Sequence, residues 1–302
     1  MLATHPNLDT DMQSHKFGVS ATLLTPFQED FSIDIPRLTE LALSVLDSGC
    51  NNITIFGTTG EGPSLSESEK NHTHRALLAA GVSPEQIVVA IGSTAVATAI
   101  AQAQSALDLG CRFLLVIPPF YFKNIQEQGL LNWYHQFFNG IGSADPRVIL
   151  YHIPQLTHVQ LTPQLVCDLQ NSFGSLVYGI KDSSGHWPTI KSLLAIPNLE
   201  VITGDERCLA QAITLGGAGT ISGMTNLIAN EIASIWCSGI EDAKVMRLID
   251  ALVQLPVVPA LKALLAYSRG DNNWYRVRAP LLPLLPEQIE NLVVLYQNLT
   301  SH

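Results

Sequence analysis

Basic runs are missing from this sequence, and their absence removes one class of partner at once. Against 26 Asp and Glu stand 16 Lys and Arg, which gives a formal net charge of −10 and a pI near 5.3. An acidic chain without clustered cations is poorly suited to nucleic acid or to an anionic membrane surface. Cysteine is sparse as well. Cys50, Cys111, Cys167, Cys208 and Cys237 are odd in number, far apart and free of any CxxC or Cys/His spacing. That pattern argues against a disulfide framework and a metal site, and fits a reducing cytoplasm. The histidines show no ligand spacing either. Long apolar runs are also lacking: Ala251 to Tyr267 is interrupted by Gln254, Pro256, Pro259 and Lys262, and reads as two packed helical segments rather than a membrane span. Residues 1–16, with His5, Pro6, Asp9 and Asp11, have no apolar core, so a loose tail is expected there instead of a secretory signal.

What the chain has in abundance is apolar material. At 302 residues, 47% hydrophobic and 14% charged, with a mean hydropathy of +0.22, it suffices for one large α/β barrel or two smaller domains around a buried sheet. Gly18 to Phe27 reads as a first strand. Ile35 to Ser48 has helical spacing through Leu38, Leu41, Val45 and Leu46, stopped by Gly49. Ser66 and Glu69 form a capping box for a further helix. Leu46-Asp47-Ser48-Gly49-Cys50 is echoed by Leu107-Asp108-Leu109-Gly110-Cys111, and more loosely by Leu215-Gly216-Gly217-Ala218-Gly219, each a helix end, a glycine stop and a strand start.

Further strands are expected around Ile53–Phe56, Ile87–Gly92, Arg112–Ile117, Arg147–Ile153, Leu176–Lys181, Leu199–Thr203 and Thr220–Ser222. Eight strands alternating with helices point to a (β/α)8 barrel, with a doubly wound sheet as the other arrangement. The expected division is a tail over 1–16, a catalytic barrel over 17–225 and a C-terminal helical subdomain over 226–302.

In a barrel, chemistry belongs at the C-terminal strand ends. The sixth strand ends in Val177-Tyr178-Gly179-Ile180-Lys181-Asp182, a nearly uncharged run that delivers one primary amine. A buried amine is suited to Schiff-base formation, because the free base attacks carbonyls and an ordinary lysine, at about pKa 10.4, is almost fully protonated at neutral pH. Alone, such a lysine is more often a solvated strand end. Tyr151, one strand earlier, is a candidate proton shuttle or a core tyrosine with a satisfied hydroxyl. Gly57-Thr58-Thr59-Gly60 offers amides and hydroxyls as a carboxylate cradle, or is simply a turn. Tyr121, between Phe120 and Phe122, reads by itself as packing.

In this order the pieces resemble the dihydrodipicolinate synthase/N-acetylneuraminate lyase family of class I aldolases. The resemblance runs over about residues 17 to 285. It rests on Gly57-Thr58-Thr59-Gly60-Glu61, Pro119-Phe120-Tyr121, Tyr151-His152-Ile153-Pro154, Gly179-Ile180-Lys181 and Gly204-Asp205, with later echoes in Pro259–Leu265 and Arg278–Leu284. It implies a barrel with a C-terminal helical extension, in a homotetramer of tight dimers. It implies Lys181 as the Schiff-base lysine for a 2-oxo acid, so that no cofactor beyond the covalent imine is needed, and no metal. Tyr151 would move protons with Thr58 as its relay partner, and Tyr121 would complete the relay in the neighbouring subunit. Thr59, with Gly57, Gly60 and the nearby amides, would hold the 2-oxo acid carboxylate, and Gly204 and Ile221 would line the same pocket.

Departures from the family pattern bear on the substrate. Leu156 stands where the synthases keep an arginine for the second substrate's carboxylate, as in the sugar-acid lyases, whose loop is also apolar there. Glu67, Lys70 and Val96 replace the residues that bind inhibitory lysine. Glu206 and Arg207 stand where the lyases place two acids, so Arg207 is a candidate for recognising a distal acidic group or is equally a surface arginine on the following helix. The leading expectation is a lyase that cleaves or dehydrates a 2-oxo-3-deoxy sugar acid or similar 4-hydroxy-2-oxo acid. The alternatives are 4-hydroxy-tetrahydrodipicolinate synthase and, in another class, a non-catalytic 2-oxo acid binding protein.

Overall fold

The computed structural model describes residues 16–142 and 145–301; the expected tail lies outside these except for Lys16. Eight parallel strands close on themselves in sequence order: β1 (Gly18–Thr22), β2 (Asn52–Ile55), β3 (Ile87–Ile91), β4 (Phe113–Val116), β5 (Arg147–His152), β6 (Val177–Asp182), β7 (Glu200–Thr203) and β8 (Gly219–Ser222). The seam pairs Gly18 with Gly219 and Ala21 with Ser222. A helix follows each strand: α1 (Ile35–Asp47), α2 (Glu67–Ala79), α3 (Val96–Asp108), α4 (Glu127–Gly140), α5 (Pro163–Phe173), α6 (Trp187–Leu194), α7 (Leu209–Thr214) and α8 (Thr225–Ser238). Three more helices, α9 (Ala243–Leu252), α10 (Val257–Arg269) and α11 (Pro286–Thr300), form the C-terminal extension.

This is the (β/α)8 barrel expected from the alternation, with two adjustments. The barrel extends past residue 225, because α8 packs against β1 and completes the ring of helices. The first strand ends at Thr22 rather than Phe27. Beyond Thr22 the chain leaves the sheet: the Leu24 amide donates to Asn226 Oδ1 (3.1 Å), and the Thr25 hydroxyl donates to the Gly60 carbonyl (2.6 Å). The glycine echoes are helix stops in fact, since Gly49, Gly110 and Gly216 have φ of +94°, +86° and +95°, a region costly for side-chain-bearing residues. The Ser66–Glu69 capping box is present at the start of α2.

Strand alternation sorts side chains into two cores. Val88, Ala90, Leu115, Ile149, Ile202 and Ile221 fill the barrel interior together with Tyr151. Their neighbours in sequence, such as Val89, Leu114, Val148, Leu150 and Val201, pack outward against the helices.

Candidate active site

The strand pairing brings Tyr151 of β5 level with Lys181 of β6, and both side chains turn into the barrel. The Lys181 amine donates to the Tyr151 hydroxyl at 3.3 Å and lies 4.4 Å from the centre of its ring. Lys181 and Tyr151 are only 5% and 3% exposed, so this contact is made out of bulk water. Of the two buried ion pairs among the described residues, His152–Asp182 and Lys262–Glu61, neither involves Lys181. Room for the lysine stem depends on Gly204: a Cβ there would sit 2.7 Å from Lys181 Cε and 1.9 Å from Ser183 Oγ.

The loop after β2 folds back on itself, with the Glu61 amide donating to the Thr58 carbonyl (3.1 Å) and Gly62 to Gly57 (3.0 Å). Thr58 and Thr59 face the cavity that contains Lys181, and among the described residues their amides donate to no protein acceptor. Gly57 and Gly60 shape the turn from behind, where a Cβ on Gly60 would meet the Leu23 carbonyl at 2.7 Å. Among the described residues no hydrogen bond joins Thr58 to Tyr151, although both line the cavity.

Glu61, at a positive φ of 55°, anchors this loop to the C-terminal extension. Its carboxylate accepts from the Lys262 ammonium of α10 and from the Arg278 amide (2.8 Å), and Lys262 also donates to the Arg276 carbonyl (2.6 Å). Burial pulls the Lys262 pKa down to about 8 against the opposing pull of Glu61. Among the described residues two lysines are therefore buried, and of these only Lys181 faces the cavity.

At the end of β7 the buried Glu206 carboxylate accepts from the Ser222 hydroxyl. Burial pushes its pKa up, with the Ser222 bond and the nearby Lys181 acting in the opposite direction. Arg207 reaches the cavity edge, but its guanidinium is held in a fork by Asp205 (2.9 and 2.7 Å) and lies 3.5 Å from Asp250. Asp205 thus occupies the fork that an acidic substrate would need, and it holds the Arg207 pKa above its ordinary value. Ile221 lines the floor, and Leu156, 58% exposed on the single helical turn Pro154–Thr157, lines the rim. Together these residues enclose a cavity of about 590 Å³.

Tyr121 lies outside that cavity within this chain. It is 71% exposed and meets Phe122 edge-on. Sequence reasoning also missed several residues. His152 and Asp182, one position beyond the Tyr151–Lys181 register, point outward and form a buried pair at 2.6 Å. His152 Nε2 lies 3.0 Å from Gln160 Oε1, while Asp182 accepts from the Ser184 amide at 2.9 Å. Gln155 donates to the Ser183 carbonyl at 2.7 Å, tying the loops after β5 and β6 together. The outer wall from α9 and α10 was likewise invisible. Its one sequence signal was Lys262, a lone cation inside an apolar run.

Compared with known proteins, the chain matches the dihydrodipicolinate synthetase family over residues 15–299. It is 33% identical to an uncharacterized DapA-like lyase of Chloroflexus aurantiacus, over 94% of this chain and 97% of the relative. The crystal structure of dihydrodipicolinate synthase from Agrobacterium tumefaciens superposes with a TM-score of 0.92 at 38% identity, covering 95% of this chain and all (100%) of that one. YagE of E. coli, a family protein solved in complex with pyruvate, gives 0.82 at 25% identity, covering 94% and 99%.

Proposed function

Given that the chain belongs to the dihydrodipicolinate synthetase family, we propose that it is a lyase that binds pyruvate or a longer 2-oxo acid as an imine on Lys181 and makes or breaks the C3–C4 bond. The observation that carries this reading is the cavity-facing Lys181 amine, buried and 3.3 Å from a phenol. Thr59 and the free amides of the loop after β2 hold the substrate carboxylate. The Lys181 amine adds to C2, and loss of water leaves an iminium.

That cation draws electrons from C3, and loss of a C3 proton by way of Tyr151 gives the enamine. The enamine carbon attacks an aldehyde, whose oxygen takes the proton back. Water then adds to C2, freeing the 4-hydroxy-2-oxo acid and regenerating the amine. The reverse sequence is aldol cleavage; loss of the C4 hydroxyl with a C3 proton, as water, is dehydration. Lysine carries the chemistry, so no cofactor is required.

Leu156 weighs against 4-hydroxy-tetrahydrodipicolinate synthase, because a second carboxylate would find no cation at that position, and Arg207 at the cavity edge is already held by Asp205. A pure binding role is less well supported, since a binder gains nothing from a phenol beside a nucleophilic amine. The same reading makes the exposed Tyr121 and Phe122 part of a contact with a second copy, in which Tyr121 reaches the partner's site within a homotetramer. Five free cysteines suit a reducing cytoplasm, and no described helix is long and apolar enough to cross a membrane.

Exchange of the pyruvate methyl protons for deuterium, followed by NMR, tests the enamine without a second substrate. Wild type should exchange them, and Lys181→Ala should not. Equal exchange by both proteins would overturn the assignment.

A further inference from the structure

The cavity is far larger than a three-carbon acid requires, and its polar lining side chains all come from the barrel. Near Lys181 stand Thr58, Thr59, Tyr151 and Glu206, all supplied by the barrel. By contrast, every residue that the C-terminal extension gives to the cavity is apolar: Ile249, Leu252 and Val253 from α9 and its end, then Pro256 to Pro259 and Leu261 from the start of α10, then Pro280 and Leu281. Val257 is 40% exposed, and Val253 and Leu281 are half-buried, so this wall includes accessible surface as well as hidden core.

The charged and amide side chains away from the amine are already committed, and the hydroxyls left, on Ser64 and Ser183, lie on the barrel side of the cavity. Asp205 takes the Arg207 fork, and the Gln155 amide goes to the Ser183 carbonyl. A chain of hydroxyls entering here would exchange water for few partners, and a buried hydroxyl without a hydrogen bond is disfavoured. An apolar group entering the same space covers surface that is otherwise wet.

We propose that the part of the substrate beyond C4 is apolar, an unbranched alkyl or aryl group, so that the aldehyde condensed or released is hydrophobic rather than a polyol. This rests on the imine reading above, because it is the covalent link to Lys181 that forces the rest of the substrate along this wall. The alternative occupant, a sugar tail, needs unpaired polar groups that the extension does not provide. Burial of each methylene is worth roughly fourfold in kcat/KM, so three of them exceed about tenfold.

The test begins with pyruvate and borohydride on the whole protein, read by intact mass, followed by condensation of pyruvate with hexanal and benzaldehyde against glyceraldehyde and erythrose. The expected result is a pyruvate adduct and a kcat/KM for the apolar aldehydes about tenfold or more above the hydroxylated pair. Val257→Asp, checked for folding by its melting curve, should reduce that ratio about fivefold or more. An adduct with equal or greater preference for the hydroxylated aldehydes, or with turnover of neither class, overturns the apolar-tail proposal alone. Absence of an adduct overturns the imine reading and this proposal with it.

Discussion

At the scale of single residues, the imine chemistry depends on where two side chains point. Tyr151 and Lys181 share a register, so their strands need no loop to bring phenol and amine together. Tyr151→Phe should slow pyruvate proton exchange by about 10²- to 10⁴-fold, the usual worth of a positioned acid–base group, with the fold intact by circular dichroism. Retention of the wild-type rate would remove the phenol from the mechanism.

Glu206 supports a prediction of the opposite kind. Burial raises its pKa above the ordinary carboxylate value of 4.5, so the proton comes off later in the folded protein than in the unfolded chain. A raised carboxyl contributes stability that is complete below 4.5 and is lost as pH rises through the folded value. Glu206→Gln should therefore abolish that decline in melting temperature with rising pH, and an unchanged melting profile would contradict it. Lys181 was legible because a cation at the end of an apolar strand is conspicuous. Arg207 was legible as a site-edge residue, but its capture by Asp205 depends on side-chain geometry that spacing does not encode.

At the scale of elements, all eight strands could be read, because period-2 apolar runs alternate with helices and glycine stops. Their ends were harder. Thr22 to Phe27 continues the strand composition, yet long-range bonds to Asn226 and Gly60 pull it out of the sheet. The outward His152–Asp182 pair was missed for a related reason: the same alternation that turns Tyr151 inward sends its neighbour outward, and nothing in the sequence states that a histidine there is paired.

Helix α4 offers a test of packing. The Tyr134 hydroxyl is fully buried without a hydrogen-bond partner among the described residues, and burial pushes its pKa well above the ordinary phenol value. Removing a buried, unpaired hydroxyl eliminates a desolvation cost of about 1–3 kcal/mol, so Tyr134→Phe should leave stability equal or higher in denaturant unfolding. A clear loss of stability would show that the hydroxyl has a partner.

At the scale of the whole molecule, the C-terminal extension is part of the cavity's architecture. It supplies Lys262 to Glu61, and thereby fixes the loop that carries Thr58 and Thr59. Lys262→Met leaves a buried carboxylate unpaired and should cost about 3–5 kcal/mol, with a larger rise in KM for pyruvate than Tyr151→Phe produces. A second tie, between Arg278 and Glu69, contributes to the response to acid. The Arg278 hydrogen bond lowers the Glu69 pKa to about 2 from 4.5, so its contribution is present above 4.5 and is lost as pH falls toward 2. Glu69→Gln should remove that part of the acid transition, and an unaltered transition would place the sensitivity elsewhere. The extension was legible as helical, but not as a wall of the site, because only folding brings α9 and α10 over the barrel mouth.

The most direct measurement of the central claim is intact mass after incubation with pyruvate and borohydride, run beside Lys181→Ala. An imine on Lys181 gives one reduced pyruvate per chain in wild type, removed by the substitution and retained in Lys262→Met under conditions where that variant is folded. An adduct that survives in Lys181→Ala, or one that disappears only in Lys262→Met, would contradict it.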